Sequence, residues 1–72
     1  MIRMTPADVR ALVRSVIITH RLPFAILAVT KSSTTWNLIV RGGTGGLVRF
    51  AVAEGQDLAM RLDIQEKLEA EL

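Results

Sequence analysis

Cysteine and tyrosine are absent from the 72 residues, which hold one tryptophan, two phenylalanines and one histidine. Without cysteine there is no disulfide, no thiolate nucleophile and no zinc–cysteine site. The lone histidine, His20, has no second imidazole, thiol or phenol to work with. Its expected place is the C-terminal end of a helix, where a cation meets the negative end of the dipole.

Acidic residues are also missing over a long stretch, since none lies between Val9 and Ala53. Residues 1–53 carry seven basic side chains against Asp8, a net +6, while residues 54–72 carry two against six acids, a net −4. Paired carboxylates for acid–base work are confined to the last segment, where their spacing is that of a solvated helix face. An enzyme is therefore not expected, and no cofactor is expected either.

Long apolar runs are lacking as well. The longest, Phe24 to Val29, is too short to span a bilayer, so no membrane partner is expected. Met1 to Arg21 is arginine-rich and amphipathic, and reads as a core-packing helix rather than a targeting segment. The lack of cysteine fits a reducing cytoplasm. Seven arginines to two lysines, with abundant Ala, Val, Leu and Gly, suggest GC-rich coding and a bacterial source.

What the chain does have is apolar surface: half its residues are hydrophobic and its mean hydropathy is +0.36. A single small domain of this length buries only about 60% of what its unfolded chain exposes. So much apolar surface in so small a body calls for a partner.

Thr5, Pro6, Ala7 and Asp8 form a helix start, with threonine as cap, proline at the first helical position and aspartate completing a capping box. Val9, Leu12, Val13, Val16 and Ile17 then share one helical face, with Arg10, Arg14 and Arg21 on another. The helix should end near His20, because Pro23 disfavours helical dihedrals at Leu22. Phe24 to Thr30 reads as a buried strand, while Thr35 to Arg41 and Leu47 to Ala53 alternate as half-buried strands. Short connections make the three an antiparallel meander.

A second helix is expected from about Gln56 to Ala70, with Leu58, Leu62, Leu68 and Leu72 on its buried arc, extended by Met60 and Ile64. Leu58, Met60, Leu62 and Ile64 also alternate as a fourth strand would, and composition tips the balance to helix. The expected fold is one α+β domain over residues 1–72, αβββα, with both helices on one face of the sheet. Val13, Val16, Ile17, Trp36, Leu38, Val48, Phe50 and Leu62 should share its core. The basic first helix and acidic last helix should lie side by side and partly neutralise each other.

Gly42, Gly43, Thr44, Gly45 and Gly46 lead into a strand rather than a helix and include no lysine, so they read as a hairpin tip and not a phosphate cradle. On the uncovered sheet face Ile39, Arg41, Leu47, Arg49 and Ala51 should lie together, an apolar field with arginines, and burial against a second copy is the first expectation. That makes the chain a non-enzymatic interaction module forming a homodimer. The second is a nucleic-acid-binding module, with Arg10, Arg14, Arg41 and Arg49 as candidate phosphate contacts.

The order helix, three-strand meander, helix resembles the double-stranded RNA-binding domain in topology. That family uses lysines at the start of its last helix and a histidine in the loop after its first strand. Here those places hold Gln56, Asp57, Leu58, Ala59 and Lys31, Ser32, Ser33, Thr34. The resemblance therefore implies an architecture and no RNA-contacting residue.

Overall fold

The structure is a computed structural model and describes residues 4–72. Its first helix, α1, spans Pro6–Thr19 and starts on the expected capping box. The Asp8 amide donates to Thr5 Oγ1 at 3.2 Å, and the Thr5 amide donates to Asp8 Oδ2 at 2.8 Å. These bonds satisfy donors that a helix start otherwise leaves open. At the other end His20 is the C-cap, and Arg21 takes a left-handed conformation with φ 52°. That turn lets the Leu22 amide reach back to the Ile17 carbonyl at 2.9 Å and the Arg21 amide to Ile18 at 3.3 Å, closing the helix before Pro23.

Three antiparallel strands follow in the order β1-β2-β3: β1 is Phe24–Ser32, β2 Thr35–Gly42 and β3 Leu47–Ala53. The β1–β2 turn is tight, with Ser33 left-handed at φ 58°, and Ser32 pairs with Thr35 across it. The glycine run is the β2–β3 hairpin tip. There Gly45 adopts φ 89°, a region open to glycine at little steric cost, and its amide donates to the Gly42 carbonyl at 3.0 Å.

β1 lies at a sheet edge, as the first strand of a meander must, and differs from the expected strand in two respects: it extends to Ser32 and it bulges. Ile26 pairs with Val40 and Ala28 with Ile39, so Leu27 is an extra residue without a partner. In a regular strand Ile26 and Val29, three apart, would face opposite sides; the extra residue turns both towards the core. Phe24, Ile26 and Val29 are only half-buried, because an edge strand has no neighbour on one side.

α2, Asp57–Glu69, is a helix throughout, so the fourth-strand alternative does not occur. Both helices cover the face that presents Trp36, Leu38, Val40 and Val52, all buried, and half-buried Val48 and Phe50. Val9, Leu12, Val13 and Val16 meet this face from α1, and Met60, Ile64 and Leu68 from α2.

The buried arc of α2 corrects the sequence expectation. Leu58, Leu62 and Leu72 are 68%, 57% and 73% exposed. One line of contact, spaced i, i+4, i+8, is all that a single helix needs to rest on β3, and Met60, Ile64 and Leu68 supply it. Leu62 points the other way and is not a core residue. Thermal melting should separate the two: Ile64→Ala is expected to destabilise by about 2–4 kcal/mol, and Leu62→Ala to stay within about 0.5 kcal/mol of wild type.

Candidate interaction site

The sheet face away from the helices is bare. Register across it runs Ala25, Arg41, Leu47 in one row, then Ala28, Ile39, Arg49, then Thr30, Asn37, Ala51. Ile39, Arg41, Leu47, Arg49 and Ala51 thus form one contiguous field, as expected from alternation. Ile39 stands at its centre, half-buried by its neighbours, while Leu47 is 55% and the bulged Leu27 41% exposed. Four alanines, Ala25, Ala28, Ala51 and Ala53, make the rest of the field flat, and it holds no acidic residue.

The four candidate phosphate-contacting arginines do not form one cluster. Arg41 and Arg49 lie on the bare face. Arg10 and Arg14 sit in the other layer, on the flank of α1 nearest β1, and line a groove of about 370 Å³ with Ile17, Ile18, Phe24, Ala25 and Ile26. The β1 edge separates the two pairs. This groove did not follow from the sequence, since its lining depends on which flank of α1 lies along β1. The i, i+4 pairing of Arg10 and Arg14 beside Ile17 and Ile18 was its only sequence trace.

Charge neutralisation between the helices, also expected, does not occur through ion pairs. Among the described residues the salt bridges are Lys31–Glu54 at 3.3 Å, Arg61–Asp57 at 2.5 Å and Lys67–Asp63 at 3.1 Å. The last two join residues one turn apart within α2, so both cations of α2 pair with its own Asp57 and Asp63 and none with α1. The helices do touch, with Arg61 Nη1 donating to Ser15 Oγ at 2.9 Å. None of these bridges involves Arg10, Arg14, Arg41 or Arg49, so the charge asymmetry of the sequence persists on the surface.

The two sheet edges are unequal. On β3, Lys67 Nζ donates to the Ala51 carbonyl, which sets an ammonium against the strand's backbone. Lysine there is a common guard against edge pairing. On β1 the described residues include no such contact from a side chain to the strand's backbone.

The glycine tip shares a shallow depression with Pro23, Phe24, Glu71 and Leu72, where the carboxylate of Glu71 disfavours an anion. No group of three or more metal-ligating side chains occurs among the described residues. Nor does any helix among them have the length and apolar character to cross a membrane. Comparison with known proteins returns nothing: no family model, curated protein or solved structure matches the chain.

Proposed function

We propose that the chain is a non-enzymatic interaction module that pairs with a second copy through its bare sheet face. The supporting observation is the register of that face, which is self-complementary. A two-fold axis laid along β2 sets Ile39 on its own mate and exchanges the β1 and β3 sides. Leu47 of one copy then covers the hollow over Ala25 of the other, beside Leu27, and the stem of Arg49 lies over Ala28. Large residues meet small ones, as interdigitating sheets require. The paired Arg41 side chains fall at the end of the sheet, where their guanidinium groups stay in water.

Sedimentation of the wild type tests this. Mass should rise from one chain to two with concentration, and added salt should leave the dimer intact or tighten it, because salt screens the arginines and favours apolar burial. A single-chain mass at every concentration would overturn the proposal.

A second reading, nucleic-acid binding, draws on the unpaired state of Arg10, Arg14, Arg41 and Arg49 and the acid-free face between them. It predicts the opposite salt response, a steep loss of binding as counterions compete. The bare face offers no aromatic platform for base stacking, which leaves phosphate contact as its only mode.

A further inference from the structure

The groove beside β1 adjoins the interface proposed above and shares only Ala25 of its lining with it, its arginines and apolar floor lying on the helix layer. We infer that it is a docking site for an extended acidic peptide, which adds to the sheet as a fourth strand along Phe24–Ile26 and sets its carboxylates on Arg10 and Arg14. Three features converge on that occupant. β1 is an edge strand, so alternate backbone N–H and C=O groups point away from β2 with no strand to receive them; the Phe24 amide already donates to the Leu22 carbonyl at 3.0 Å, which leaves the Phe24 carbonyl and the outward groups beyond it for a peptide. Under that edge Ile17, Ile18, Phe24 and Ile26 form an apolar floor, of which Ile18 is 66% exposed. Along its rim stand the two arginines, neither of them in a salt bridge among the described residues.

Spacing narrows the ligand further. Arg10 and Arg14 are one helical turn apart, a rise of about 6 Å. Alternate side chains on one face of an extended peptide repeat at about 6.6–6.8 Å. A segment with acidic residues at i and i+2 therefore matches both guanidinium groups, and each forms a charge-assisted bond at the groove rim. Its alternate side chains fall on the opposite face of the sheet, where apolar residues meet Ala25 and the exposed Leu27. The Leu27 bulge ends the regular edge, which limits pairing to a short segment.

Charge also chooses between occupants. A second copy adding its own β1 by a two-fold axis would bring its Arg10 and Arg14 against the same pair, a like-charge contact. The opposite sheet edge is no alternative site, since Lys67 engages β3 and the adjoining helix is acidic.

The test uses the full chain, isotope-labelled for amide spectra, and a capped peptide of about ten alternating glutamate and valine residues. Shifts should concentrate at residues 24–28 and on the Arg10 and Arg14 flank of α1. Three changes should each weaken binding by about tenfold or more: Arg10→Ala with Arg14→Ala, lysine in place of glutamate in the peptide, and N-methylation of alternate peptide amides. Both arginines are exposed, so the double variant should keep the wild-type melting temperature. Undiminished binding by the double variant overturns the inference, as does binding that ignores N-methylation or maps to Ile39, Leu47 and Arg49. A single-stranded oligonucleotide that displaces the peptide and outbinds it through Arg10 and Arg14 would reassign the groove to nucleic acid. Failure here leaves the dimer untouched, because sedimentation reads a contact centred on Ile39 and not on Arg10 and Arg14.

Discussion

Trp36→Ala is expected to lower the melting temperature by more than 12 °C, and to leave much of the chain unfolded under mild denaturing conditions. Trp36 is the largest fully buried side chain, 1% exposed, in the core cluster that residues of both helices join. Truncating a buried tryptophan costs about 3–5 kcal/mol. A domain of this size has roughly 4–11 kcal/mol in all, and each kcal/mol moves its midpoint by about 4–8 °C.

The loss extends to the sheet's end. Lys31 Nζ lies 5.3 Å from the centre of the indole ring, and the same ammonium pairs with Glu54 at 3.3 Å. Removing the ring takes away the surface on which the lysine rests. Trp36→Phe separates volume from polarity. Trp36 Nε1 is buried without a hydrogen-bond partner, and an unpaired donor costs about 1–3 kcal/mol. Phenylalanine forfeits some packing but removes that donor, so its net loss should stay below about 1.5 kcal/mol. Phe50→Ala should fall between the two, near 2 kcal/mol, roughly half the full-burial cost, because Phe50 on the outer strand β3 is only half-buried.

These contrasts mark which parts of the molecule sequence pattern could convey. The capping box at Thr5 and Asp8, the stop before Pro23 and the alternation of β2 and β3 are local, each set by residues a few positions apart. They were legible for that reason. The buried arc of α2 was not, because four leucines and their neighbours offer apolar residues on several sides, and only contact with α1 and β3 selects Met60, Ile64 and Leu68. Hydropathy favours leucine wherever it stands; packing selects by angle.

The bulge of β1 was hidden for a related reason. An unbroken apolar run reads as burial on both faces, yet here it serves a bulge, with Ile26 and Val29 inward and Leu27 outward. Of the candidate site, the five residues of the bare face followed from period-two alternation alone. The split of the arginines into two pairs did not, since it depends on which flank of α1 faces β1.

The same bare face gives the second large effect: Ile39→Glu is expected to turn the dimer into a folded monomer. In the single chain the change is mild, because Ile39 is only half-buried and its partner across the β2–β3 ladder is Arg49. The introduced carboxylate finds a cross-strand guanidinium, a pairing worth roughly 0.2–1 kcal/mol, which offsets part of the lost apolar contact. In the dimer the two carboxylates meet each other at the axis, where they lose water and repel. Such a contact costs several kcal/mol, so the dissociation constant should rise by about a hundredfold or more. Ile39→Val keeps the apolar centre and should keep the dimer. Ala59→Glu adds the same charge at an exposed site in the first turn of α2, where the helix dipole accepts it, and should leave assembly unchanged. Sedimentation together with circular dichroism reads all three variants. A dimer that survives Ile39→Glu would show that the copies meet elsewhere, and the exposed Leu58 and Leu62 on the outer side of α2 would be the next surface to charge.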